Sequence, residues 1–196
     1  TGSGTWDWGD DGLVHSVTSV TASSGGGEMD FGSSTVQVTS TTTGNCNLSG
    51  LGTLTVGSGT LEFAAGSGTQ VITPDPGSTH PNIVNSAGST VQLSTSTLTC
   101  VSYTQTAGTL DFNTENMTTS NDFTISGGSA TSIYNSGTSL NGVTLTVGGD
   151  CLFEGQSGSY IDLDPGGGWT VTVTGDLHAK YADIQNSTAT NQYGYA

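Results

Sequence analysis

Apolar and polar residues alternate over many short stretches of this chain: TVQV at 35–38, TLTV at 53–56, TLEF ending at Phe63, TLDF at 109–112, VTLTV at 143–147 and WTVTVT at 169–174. A period of two places Val, Leu, Phe or Trp on one face and Thr, Gln or an acid on the other, the pattern of a half-buried β-strand. No window carries apolar residues at helical spacing free of Gly and β-branched runs, so the chain reads as all-β. Disorder is the competing reading of a Gly-, Ser- and Thr-rich chain, but disordered segments do not keep such a register.

The alternating stretches also recur. CVSYTQTAGTLDF at 100–112 aligns without a gap with CLFEGQSGSYIDL at 151–163, and GSSTVQVTSTTTGNC at 32–46 resembles AGSTVQLSTSTLTC at 87–100. SNDFTIS at 120–126, GGDCLFE at 148–154 and TGDLHAK at 174–180 share an Asp before an inward-facing position, at intervals of 28 and 26. Strands, Gly-rich corners and a period in the twenties predict a β-solenoid, in which each coil lays strands on its predecessor and buries a shared apolar column. The 51-residue echo would then span two coils. At ~26 residues per coil and ~4.8 Å of rise, the chain makes a rod of about seven coils. The expected fold is a single-domain parallel β-helix over 28–196, with residues 1–27 as an N-terminal cap or assembly arm. An antiparallel β-sandwich is the alternative, since it too has short strands and frequent turns, but sandwiches seldom repeat their own side chains in order.

Composition changes this picture in two ways. The hydrophobic share of 32% is low for a globular domain, and a narrow column explains how so little suffices. A formal charge of −15, with Lys180 the one basic residue and no Arg, excludes a phosphate-neutralising surface and so argues against nucleic acid or anionic membrane as a partner. No apolar run approaches the ~20 residues of a membrane span. A chain with a single Lys offers trypsin-like proteases little, which suits a secreted protein. The opening TGSGT lacks a signal peptide and reads as a mature or trimmed form.

The runs GTLEFAAGSGTQVITP (59–74), NIVNSAGSTVQLSTSTLT (82–99) and TLTVGGDCLFEGQSGSYIDLDPGGGWTVTVTGDLHAKYADIQNS (144–187) resemble the repeats of secreted bacterial surface proteins of the parallel β-helix type, including passenger-like adhesins and filamentous-haemagglutinin-like fibres. The resemblance covers most of the chain from Glu28 onward. It implies an extracellular or cell-surface location and a structural, adhesive or matrix role. The expectation is a subunit of an extracellular filament that stacks head to tail on copies of itself. The alternative is a monomeric adhesin or carbohydrate-binding passenger module with glycan partners.

The chemistry-bearing residues fit this reading without an obvious catalytic set. Cys46, Cys100 and Cys151 lack metal-site spacing, and two coils of separation, ~9–10 Å, exceeds the reach of a disulfide. They are expected as small apolar side chains stacked inside the rod. The triplets MDF, LEF, LDF and IDL set Asp30, Glu62, Asp111 and Asp162 between core-facing neighbours, with Asp164 beside the last. As an outward column these acids are candidate calcium ligands, weighed against solvated acids that keep the rod soluble. DWGDDG at 7–12 is an incomplete calcium loop. His15, His80 and His178 are scattered, and no G-x-S-x-G, H-E-x-x-H or Cys/His arrangement appears, so an enzyme is not expected.

Three surface features remain. Outward threonines at 144 and 146, and at 170, 172 and 174, form T-x-T runs of the type found on flat ice-binding solenoids, although the sequence shows no regular one-rung T-x-T repeat. Trp6 and Trp8 near one end, and Tyr193 and Tyr195 near the other, are candidate caps or complementary surfaces for stacking one rod on the next. The sequons at Asn47, Asn116 and Asn186 are candidate glycosylation sites, at a frequency chance also produces in such a chain.

Overall fold

The computed structural model describes residues 4–22, 26–41, 45–127, 131–134, 142–163, 169–184 and 187–191. All pairings between its strands are parallel. The chain is therefore a parallel β-solenoid, and the antiparallel sandwich is excluded.

Turns lay down three strands in a fixed order, except where residues 74–81 leave the third position to one isolated bridge. Sheet B holds eight, from Val14–Val17 to Leu177–Lys180, and sheet C holds eight, from Val20–Thr21 to Ala182–Ile184. The third position is occupied by sheet A in the first three turns (Thr5–Asp7, Gly27–Asp30, Leu51–Thr55). From Leu98–Cys100 onward it is occupied by sheet D, whose other strands are Met117–Thr119, Val143–Val147, Trp169–Val173 and Ser187–Asn191. Seven register steps join the strands of sheet B, giving about seven turns. Residues 5–21 supply the first turn, since their strands pair directly with those of the second.

The turns differ in length, and this corrects the repeats read from the sequence. Thr35 lies 21 residues after its partner Val14, Tyr103 lies 20 after Ile83, and Cys151 lies 28 after Phe123. Only the Asp-led recurrence is a true rung-to-rung repeat: Phe123, Cys151 and Leu177 stand in register. The backbone N–H of Asp150 donates to Asp122 Oδ1 at 2.9 Å, and that of Asp176 donates to Asp150 Oδ1 at 2.9 Å. The 51-residue echo fails for the cysteines, because Cys100 lies in sheet D and Cys151 in sheet B. TVQV at 35–38 and TVQL at 90–93 likewise lie on different sheets, B and C. LDF and IDL do share sheet C two turns apart, but Leu110 stacks through Ile133 on Leu163, two residues later than the alignment gives.

Alternation fixes which side chains fill the interior. Val36, Leu61, Ile83, Tyr103, Phe123 and Cys151 form one inward column of sheet B, all of them fully buried. Phe31 and Phe63 are buried in the first half of the rod, and above mid-rod the buried aromatics touch one another. Tyr103 stacks on Phe123 at 5.2 Å, Phe123 meets Phe153 edge-on at 6.0 Å, and Phe153 meets Trp169 at 6.3 Å. Buried amides hold the B-to-C corner from inside: Gln70 Nε2 donates to Val38 O, and Gln105 Nε2 donates to Gly108 O, both at 2.8 Å. Gly108 has φ +73°, and an added Cβ would lie 2.1 Å from Ser89 O, so only glycine fits this corner.

The change from sheet A to sheet D falls at residues 74–81, TPDPGSTHP less its first Thr. Pro74, Pro76 and Pro81 have no N–H to give to a ladder. The segment contributes one isolated bridge, His80 to Cys100, before sheet B resumes at Asn82. His80 is fully buried and anchors the segment: its Nδ1–H donates to Thr99 O at 2.8 Å, while Nε2 accepts from Asp75 N–H at 3.1 Å. Burial pushes its pKa below the ordinary value, against the smaller opposing effects of Thr99 O and the Asp75 carboxylate.

Candidate functional site

The acids expected as one column do not form one. Asp30 lies in sheet A, Glu62 in sheet B, and Asp111 and Asp162 in sheet C, where Asp111 pairs with Tyr134 and Asp162 with Ser132. Asp164 lies outside the described residues. Local geometry explains several of these acids. Asp30 Oδ1 accepts from Gly32 N–H and Asp111 Oδ1 from Asn113 N–H, both at 2.9 Å, and Asp7 Oδ1 accepts from Gly9 N–H at 2.7 Å. An acid that accepts the N–H two residues on closes a corner, so D-x-G and D-x-N at strand ends are turn chemistry. Glu62 instead belongs to an outward ladder, accepting from Gln37 at 3.0 Å and from Ser86. Among the described residues no three His, Cys, Asp or Glu side chains converge in a way that could hold a metal ion.

The cysteines are free and buried, on three different sheets, and so are not stacked on one another. Burial pushes the thiols of Cys46 and Cys151 up to about 12, and that of Cys100 further. Asn47 is half-buried, and its Oδ1 accepts from Ser49 N–H at 3.1 Å; exposed Asn116 accepts from Thr144 N–H at 2.8 Å. Asn186 lies outside the described residues.

At the N-terminal end, the inward columns reach the surface. Trp6 stands in register with Met29 and through it with Leu54, yet is 51% exposed; in the same turn Leu13 and Val14, the latter paired with outward Thr35, are 53% and 63% exposed. Trp6 stacks on Trp8 at 5.5 Å, and Trp8 packs on His15 at 5.3 Å. Tyr193 and Tyr195 lie outside the described residues. Among the described residues of the last two turns, the exposed aromatics are Tyr160 and Tyr181, with ring centroids 6.1 Å apart and Lys180 Nζ 5.3 Å from the Tyr181 ring. Neither tyrosine lies in an alternating stretch, so periodicity does not mark them; the register brings them together.

Sheet D carries the most regular surface. Register aligns Thr99, Thr118, Thr146, Thr172 and Thr190 in one column, and Thr144, Thr170 and Thr188 in a second. The T-x-T repeat absent from the linear sequence is thus present in space over three successive rungs. It is hidden in the sequence because those rungs start 26 and 18 residues apart, Thr144 to Thr170 to Thr188. Outward Thr99, Thr118, Thr144, Thr146, Thr170 and Thr172 form no side-chain hydrogen bond among the described residues.

A parallel β-solenoid with an exposed apolar first turn and one neutral, threonine-lined face is the class of protein these observations define. No protein-family model, curated protein or solved structure matches the chain.

Proposed function

We propose that the chain is a structural subunit of an extracellular fibre, stacking head to tail through the two ends of its solenoid. The observation that carries this reading is the first turn, where Trp6, Leu13 and Val14 are exposed although Trp6 continues a column that is buried one turn further in. A rod whose core runs to its end leaves apolar surface and unpaired strand edges there, and a parallel strand of another copy satisfies both. The two ends also present different side chains: Trp6 and Trp8 with Asp7, Asp10 and Asp11 at the first turn, and Tyr160, Tyr181 and the Glu154-paired Lys180 near the last. Unlike ends make a heterologous contact, which propagates into a filament instead of closing. Scarcity of cationic residues supports an extracellular setting, where protease resistance has value.

Negative-stain imaging of the purified chain tests the proposal. Long, uniform filaments are expected, shortened or abolished by Leu13→Asp with Val14→Asp. Isolated short rods at every concentration would favour a monomeric adhesive module instead.

A further inference from the structure

We propose that sheet D is an ice-binding face, an activity independent of fibre assembly. The occupant is the ordered water lattice at an ice surface, and four features of the face point to it. First, the strands of sheet D contain no charged residue, whereas Glu28 and Asp30 stand on sheet A, Glu62 and Glu154 on sheet B, and Asp162 and Asp183 on sheet C. A charge orders water around itself and disrupts a neutral lattice, so in a chain of net charge −15 this face is the one suited to ice.

Second, the register of sheet D is unshifted from Leu98 to Asn191, which keeps the threonine columns aligned. Parallel strands are ~4.8 Å apart, and alternate residues along a strand ~6.7 Å apart, so the grid is set by backbone hydrogen bonding. Both spacings lie near the oxygen repeats of a prism face of hexagonal ice. Third, β-branched threonine is stiff at χ1, and the inward partners Leu145, Val147, Trp169, Val171 and Val173 are nearly fully buried and back the face with a packed core. A methyl and a hydroxyl at each grid point are therefore held in place before ice arrives. Fourth, the hydroxyls are unspent. On the neighbouring faces some outward groups bond one another, as Thr109 does Ser132 at 2.9 Å and Ser16 does Gln37 at 3.0 Å, while outward Thr104 and Thr124 of sheet B share the unbonded state but stand on a face that also carries Glu62 and Glu154. The threonines of sheet D from Thr99 to Thr172 make no such bonds among the described residues, which leaves them available to lattice water.

The test grows a single ice crystal slowly in a buffered solution of the full chain and measures protein in the ice against the liquid. Wild type is expected to be enriched in the ice relative to an inert protein marker and to slow ice recrystallisation. Thr146→Tyr with Thr172→Tyr is expected to lower that enrichment roughly tenfold. The matched pair Thr104→Tyr with Thr124→Tyr, outward neighbours in register on sheet B, is expected to leave it unchanged. Where the tyrosine variant of sheet D fails to fold, Thr→Ser at 144, 146, 170 and 172 keeps the hydroxyls and removes the methyls, and the same loss is expected. Exclusion of wild type from ice to the marker's extent would overturn the proposal, as would equal losses from both faces. Retention on crystalline cellulose through these threonines, with exclusion from ice, would overturn it too.

Discussion

Replacing Phe123 by Ala tests how the core is built. Phe123 is fully buried, packed face to face on Tyr103 at 5.2 Å and edge-on to Phe153 at 6.0 Å, with its strand hydrogen-bonded to neighbours on both sides. Truncating a buried Phe costs about 3–5 kcal/mol when the surroundings cannot collapse, and strands clamped on both sides resist collapse. Each aromatic pair contributes about 0.5–1.5 kcal/mol of that total. With an m-value of about 2–3 kcal/mol/M, the urea midpoint should fall by roughly 1–2.5 M. Leu152 is the control: it stands in register with outward Thr124, and Leu152→Ala should change stability by less than about 0.5 kcal/mol. Urea unfolding followed by tryptophan fluorescence and circular dichroism measures both. A loss below about 1 kcal/mol for Phe123→Ala, or a larger one for Leu152→Ala, would refute the assignment of inward and outward columns.

Three further outcomes follow from other parts of the rod. His80 is held neutral, so its contribution to stability is complete above the ordinary value of 6.5 and declines as the pH falls from there towards its own lower pKa; the melting temperature should drop between about pH 7 and 5 by more in wild type than in His80→Gln. Asp150→Ala removes the acceptor for Asp176 N–H and should destabilise by about 1 kcal/mol in urea unfolding, whereas Asp150→Asn retains an acceptor and should stay near wild type. Cys46, Cys100 and Cys151 should resist alkylation in the native protein at mildly alkaline pH and all three react once it is unfolded, read by mass spectrometry.

The strands and their inward faces were legible in the sequence because alternation is a local property, visible in VTLTV at 143–147 without knowledge of its neighbours. The register was not. Corners of variable length make the turns run from 20 to 28 residues along sheet B, so a fixed-offset alignment matched Cys100 with Cys151 across different sheets. Asp122, Asp150 and Asp176 were recognisable as a repeat because their side chains bond rung to rung, which ties sequence interval to spatial interval. The acids of the MDF and LDF triplets looked like a shared column, but each serves its own corner, a role visible only in the two residues that follow. The threonine grid escaped the sequence for the same reason as the cysteine mismatch: its rungs are evenly stacked in space and unevenly spaced along the chain.

The measurement closest to the heart of the account is disulfide formation between introduced cysteines on sheet D. Thr146 and Thr172 are register partners, with Cα atoms about 4.8 Å apart in adjacent strands, inside disulfide range, while Thr144 and Thr172 are diagonal at about 8 Å, beyond it. Thr146→Cys with Thr172→Cys should oxidise readily to an intramolecular bridge seen by peptide mapping, and Thr144→Cys with Thr172→Cys should not. Ready bridging of the diagonal pair with none in the register pair would contradict the parallel, in-register coil.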